Sequence, residues 1–203
     1  MLNNEFINQL NRSPVIFSMK DEQNFKRAVL SDYKILFFLF GDIATIADHI
    51  SLAKQHGKIV FVHLDLINGM ASHEAAVEFI SKYTDADGVI STKPRLLRYA
   101  KKFDLLTILR IFMLDSMAFE NGIYNIEHCE PDLVEILPGI ATKSFALVRE
   151  HCDLPLIAGG FIRNQKDMLD AISAGASAVS STRFELHKVN KAIADSFDSK
   201  EEE

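Results

Sequence analysis

The chain has no run of about 18 apolar residues free of charge, the length a membrane-spanning helix requires. Its first residues, MLNNEFINQLNR, lack the basic start and apolar stretch of a secretory signal. A cytoplasmic protein with no membrane partner is therefore expected. Only two cysteines occur, Cys129 and Cys152, and their spacing suits no metal site. Cys152 continues an apolar helix face with Phe145 and Val148, so a buried free thiol is expected in place of a disulfide or a nucleophile. No glycine fingerprint for a dinucleotide follows the first apolar run. No signature of an RNP, KH or helix-turn-helix module is present either. The net charge of −6 argues against a protein that coats nucleic acid non-specifically, though it leaves room for a local basic patch.

What the chain does have is alternation. With 203 residues and 48% hydrophobic content, it can bury a large core in one domain. Phe6, Ile7 and Leu10 fall at helical spacing over residues 3 to 11, and Pro14 ends that helix. Eight apolar runs then alternate with helical segments: Val15 to Met19, Lys34 to Phe40, Lys58 to Leu66, Gly88 to Thr92, Leu106 to Leu114, Leu133 to Leu137, Pro155 to Ala158 and Ala178 to Thr182. Asn121-Gly122 interrupts the segment after the fifth run, roughly Met117 to Cys129. Strand–helix alternation implies parallel pairing with right-handed crossovers, and eight units close into a compact, single-domain (β/α)8 TIM-like barrel. A flavodoxin-like or Rossmann sheet, the rival, would need fewer units. The barrel is expected over residues 1–194. The charged tail 195–203, DSFDSKEEE, is expected to be disordered.

The stretch from Pro155 to Thr182 reads as two consecutive strands whose C-terminal tips meet at one phosphate. Gly159 and Gly160 let backbone N–H groups approach closely. Asn164 and Asp167 sit close to a capping-box pattern, Gly175 ends that helix, and Ser180-Ser181-Thr182 supplies hydroxyls. Loops after strands 7 and 8 recurrently build a phosphate site in such barrels. One glycine loop alone would mean no more than a tight turn, but the pairing of the two segments favours phosphate.

Function in this fold lies at the carboxyl ends of the strands, which gathers Asp65, Asn68, Lys93, Asp115, Ser116, Glu135, Gly139, Gly159, Gly160, Ser180 and Ser181. His63 and Asp65 alternate on one face of the third run, too few ligands for a metal, so neither metal nor cofactor is expected. Arg110 and Glu135 would be neighbours on the fifth and sixth strands, costly alone and tolerable as a pair. They read equally as a structural ion pair or as a hold on a polar ligand. Lys93 suits a point-charge contact to an anion. The run KPRLLRYAKK carries Lys93, Arg95, Arg98, Lys101 and Lys102 with no acid, and Arg95, Arg98 and Lys102 would share one outward helical face. Most such runs are solvated faces, but a phosphate backbone is the partner that uses one.

FVHLDLINGM (61–70), GVISTKP (88–94), FMLDSMAFENGI (112–123), PDLVEILPGI (131–140) and the pair AGGFIR and AGASAVSST, in this order, resemble the glycerol uptake operon antiterminator regulatory protein family over almost the whole chain. The resemblance implies a barrel descended from phosphate-binding enzymes that has become a regulator. Such a protein would bind glycerol 3-phosphate and act on leader mRNA of glycerol-utilisation genes to prevent premature termination. Carried over by motif, the implied ligand contacts are Asp65, Lys93, Gly139, Gly159, Gly160, Ser180 and Ser181. Glu135 joins them from its place on the sixth strand, and Arg95, Arg98, Lys101 and Lys102 are the RNA candidates. No complete nucleophile-and-base constellation is seen, so a non-enzyme is expected. The alternative is a barrel enzyme on a small phosphorylated substrate, with Asp65 or Glu135 as base and Lys93 as electrophile. Many regulators of this size work as homodimers.

Overall fold

A computed structural model describes residues 4–201. Helix α1 (Asn4–Arg12) leads into eight units. These are β1 (Val15–Met19) with α2 (Glu22–Val29), β2 (Ile35–Phe38) with α3 (Ile46–Gln55), β3 (Ile59–His63) with α4 (Glu74–Tyr83), and β4 (Gly88–Ser91) with α5 (Pro94–Ala100). Then come β5 (Leu106–Phe112) with α6 (Ser116–Cys129), β6 (Leu133–Leu137) with α7 (Lys143–Arg149), β7 (Leu156–Gly159) with α8 (Gln165–Ser173), and β8 (Ala178–Ser181) with α9 (His187–Glu201). Each strand pairs in parallel with the next and β8 closes on β1, which is the (β/α)8 barrel the alternation predicts. Strands covered on both faces read as continuous apolar runs, and β1, β2, β4, β7 and β8 are buried at every position.

Two cores result. Val15, Phe17, Leu36, Phe38, Val60 and Val62 face outward and pack with helix residues such as Phe25, Ile50 and Val77. Ile16, Ile35, Phe37, Phe61, Ile90, Ile108, Leu133, Ile157 and Ala178 fill the lumen together with Phe6 and Leu10 of α1. Full burial of each Val, Leu, Ile or Phe among them contributes about 1.5–3 kcal/mol. The helix before β1 thus plugs the end of the barrel opposite the carboxyl tips of the strands.

Asn164 caps α8 through a complete capping box with Asp167. Three local features depart from the sequence pattern. Helix α6 runs unbroken through Asn121-Gly122, because Gly122 faces inward where a Cβ would lie 3.0 Å from Ile111 Cγ2; the glycine allows close helix–strand packing. Asp65 lies in a 3-10 turn, Leu64–Leu66, beyond β3, so it does not alternate with His63 along a strand. The stretch from Asp195, expected to be disordered, continues α9 as far as Glu201; residues 202–203 lie outside the described residues. Among the described residues no helix is long and apolar enough to cross a membrane.

Candidate ligand cavity

Strand alternation turns every second side chain into the lumen, and toward the carboxyl ends these change from apolar to polar. Ser18 follows Ile16, His63 follows Phe61, Arg110 follows Ile108, Glu135 follows Leu133 and Ser180 follows Ala178, each two residues on. Arg110 and Glu135 are register partners. Arg110 Nε donates to Glu135 Oε2 at 2.6 Å, and Ser180 Oγ donates to Oε1 at 2.6 Å. Glu135 is 1% exposed and Arg110 8%. A Cβ at Gly159 would lie 2.6 Å from Glu135 Oε1, so glycine there gives the carboxylate its room.

This polar layer floors a cavity of about 710 Å³. Leu39, Leu66 and Leu137 form apolar wall, while Lys20, Arg163 and Arg183 are exposed basic residues that also line it. With Arg110, four cationic side chains line the cavity, and among the described residues Glu135 supplies the one carboxylate facing them. The remaining wall comes from Gly160 to Ile162 after β7 and Thr182 after β8.

The two loops are knitted together. Ser181 Oγ donates to the Ile162 carbonyl at 2.7 Å and accepts from the Arg183 N–H at 3.1 Å. Buried Tyr33 places its hydroxyl 3.2 and 3.1 Å from the Arg183 and Phe184 carbonyl oxygens, and burial raises its pKa. The Arg27 guanidinium covers the Phe184 ring at 4.0 Å. Gly160 (φ 78°) and Phe161 (φ 61°) are consecutive left-handed residues, an uncommon state for phenylalanine that recurs at functional sites. The Phe161 ring is 61% exposed, 5.9 Å from the Arg163 guanidinium.

Of the residues singled out from sequence, Arg110, Glu135, Gly160, Ser180 and Ser181 line the cavity. Gly159 and Gly139 stand behind it: a Cβ at Gly139 would lie 2.9 Å from the Ala158 carbonyl carbon, and its N–H donates to the Gly160 carbonyl at 3.1 Å. Asp65 and Lys93 do not line the cavity and instead hold each other. Lys93 Nζ sits 3.1 Å from Asp65 Oδ1 and also bonds Ser72 Oγ. Asp65 Oδ2 accepts from Ser91 Oγ at 2.9 Å and the Thr92 N–H at 3.0 Å. Burial works to raise the Asp65 pKa, but the Thr92, Ser91 and Lys93 donors outweigh it and the net shift is downward.

Lys20, Arg163, Arg183 and Ser18 escaped the sequence reading. Their one signal is position: Lys20 directly follows β1, Arg163 follows β7 by four residues and Arg183 follows β8 by two.

His63 lies beside this floor. Its Nδ1 is buried without a hydrogen-bond partner, 3.8 Å from Asp65 Oδ2. Burial first, and then the charge of Arg110, lowers its pKa to about 4. The unfolded chain therefore takes up a proton near pH 6.5 that the folded protein refuses until about pH 4, and stability falls as pH drops through that window. Urea unfolding should show about 2–3 kcal/mol lost from this residue between pH 7 and 4.5. A His63→Asn protein should lack that component; an unchanged pH slope would contradict the assignment.

The basic residues Arg95, Arg98, Lys101 and Lys102 are all exposed. Helix α5 ends at Ala100, and a 3-10 turn carries Lys101 to Phe103, so Lys102 leaves the regular face shared by Arg95 and Arg98. Arg95 lies 3.6 Å from Glu74, Lys101 Nζ bonds the Glu130 carbonyl, and Lys102 Nζ sits 4.8 Å from the Tyr99 ring centroid.

Both cysteines are free. Burial pushes the Cys129 thiol up to about 11, so it is protonated at neutral pH. Among the described residues no group of three or more His, Cys, Asp or Glu side chains could hold a metal ion.

Fold and cavity define a (β/α)8 barrel with a cation-rich pocket at the carboxyl ends of its strands, where proteins of this fold carry their sites. The sequence model of the glycerol-3-phosphate responsive antiterminator family matches residues 15–187, and the chain belongs to that family. The Escherichia coli K12 protein YgcP is 36% identical over 184 residues, covering 91% of this chain and 96% of that protein. Two solved structures are similar. The glycerol uptake operon antiterminator regulatory protein of Listeria monocytogenes is 30% identical with a TM-score of 0.82, covering 85% of this chain and 93% of that one. A glycerol uptake operon antiterminator-related protein of Thermotoga maritima is 33% identical with a TM-score of 0.75, covering 87% and 98%. Aldolase, epimerase and decarboxylase barrels at 11–15% identity share the fold alone.

Proposed function

We propose that this protein is a glycerol 3-phosphate-responsive, RNA-binding transcription antiterminator that controls glycerol uptake and utilisation genes and is not an enzyme. The observation that carries the reading is the cavity at the carboxyl ends of the strands, bordered by the loops after β7 and β8, where four cationic side chains meet one carboxylate that is already paired. The phosphate sits at the mouth against Lys20, Arg163 and Arg183, since charge-assisted donors are the strong partners of a phosphate oxygen. The ligand favours the RNA-binding conformation by differential affinity.

Recognition is better provided for than chemistry. Each Glu135 oxygen is engaged, by Ser180 and by Arg110. Asp65 is engaged by Ser91, Thr92 and Lys93 away from the cavity, and the Cys129 thiol is protonated. Calorimetric titration should show glycerol 3-phosphate bound and recovered unchanged. Its consumption would favour the alternative, an enzyme on a small phosphorylated substrate.

The RNA surface is the exposed basic patch on α5 and the turn after it. Reversing Arg98 and Lys102 to Glu should weaken leader-RNA binding about tenfold or more and flatten its salt dependence, because fewer counterions are released. Overlapping mobility-shift titrations of variant and parent would remove this patch from the interface.

A further inference from the structure

The mouth of the cavity is cationic, but its floor is balanced. Arg110 and Glu135 cancel in charge, and both retain bonding capacity. A carboxylate offers about four lone-pair positions, of which Ser180 and Arg110 occupy one on each oxygen. A guanidinium has five N–H donors, and the Nε–H of Arg110 is the one directed to Glu135. On β1, Ser18 is 4% exposed, lines the same cavity, and has a buried Oγ with no hydrogen-bond partner. A buried ion pair is a poor way to stabilise a core, and the layer beneath it, Ile16, Ile108, Leu133 and Ala178, is wholly apolar.

We propose that Glu135, Arg110 and Ser180 form a hydroxyl-reading floor that admits the neutral polyol tail of a phosphate monoester and rejects a second anionic group. This rests on the reading of the mouth as the phosphate site. A hydroxyl can donate to Glu135 and accept from Arg110 at once. A carboxylate only accepts, and it would face the carboxylate of Glu135, which is buried at 1% exposure, where like charges repel more strongly than in water. His63 adds no cation to relieve that repulsion, since burial and Arg110 keep it neutral at pH 7. The floor sets specificity and the mouth sets affinity for the phosphate.

Calorimetry at pH 7 with glycerol 3-phosphate, 3-phosphoglycerate and inorganic phosphate separates these roles. The parent should bind glycerol 3-phosphate at least tenfold more tightly than 3-phosphoglycerate. Glu135→Gln, nearly isosteric but uncharged, leaves Arg110 unbalanced and should shift that ratio at least tenfold toward 3-phosphoglycerate. The double variant Arg110→Met with Glu135→Leu should bind glycerol 3-phosphate no better than inorganic phosphate, and it decides the matter alone if the single variant fails to fold. Equal affinity of the parent for the two organic phosphates, or a ratio unmoved by the variants, would overturn the floor while leaving the phosphate mouth standing. No binding of any of the three to the parent would overturn the mouth and the floor with it.

Discussion

A protein carrying Arg163→Glu and Arg183→Glu should bind glycerol 3-phosphate at least a hundredfold more weakly than the parent, with unfolding free energy changed by no more than about 1 kcal/mol. The two side chains are exposed at the cavity mouth, on the loops after β7 and β8. A hydrogen bond between charged groups contributes about 1.5–3 kcal/mol, and each tenfold in affinity corresponds to about 1.4 kcal/mol. Losing two such contacts, and replacing them with charges that repel phosphate, therefore gives a hundredfold as a lower bound. The loop itself should hold its shape, because Tyr33 and Ser181 anchor it through the Arg183 backbone and not through the guanidinium. Unchanged affinity by calorimetry would put the phosphate somewhere else.

The second large effect is on stability. Glu135→Ala removes the partner of Arg110, which is 8% exposed, and breaking a buried pair from one side typically costs about 3–5 kcal/mol. For a domain of this size each kcal/mol moves Tm by about 2–4 °C, so the midpoint should fall by roughly 6–20 °C. Replacing both partners by apolar side chains leaves no unpaired charge, and the Arg110→Met, Glu135→Leu protein should melt close to the parent. A Glu135→Ala protein melting within 2 °C of the parent would mean that water in the cavity screens Arg110 well enough to make the pair dispensable.

The barrel was legible because parallel strands under helices are apolar on both faces, so β1 and β6 coincide with their runs to the residue. The Arg110–Glu135 contact was legible for a related reason: consecutive strands in such a barrel pair, and a charged residue inside each run had to find the other. Of the two glycines after β7, Gly159 is a close-approach position, and Gly160 owes its place to a left-handed backbone (φ 78°). Gly159 gives room to Glu135, while the backbone that borders the cavity belongs to Gly160 and Phe161.

Asp65 and Lys93 stand at strand tips as expected, yet which tip residues turn toward the lumen depends on the 3-10 turn after β3, and the turn pairs them with each other. The mouth cations were illegible for the opposite reason. Lys20, Arg163 and Arg183 are lone basic residues in three separate loops, and only closure of β8 on β1 brings β1, β7 and β8 into adjacency.

Titrating the protein with labelled leader RNA, with and without saturating glycerol 3-phosphate, tests most directly whether a small phosphate ester in the cavity changes the affinity for that RNA. A shift of at least tenfold toward tighter RNA binding is predicted, a coupling of about 1.4 kcal/mol, and it should vanish in the Arg163→Glu, Arg183→Glu protein. Identical RNA titrations with and without the ligand would contradict it.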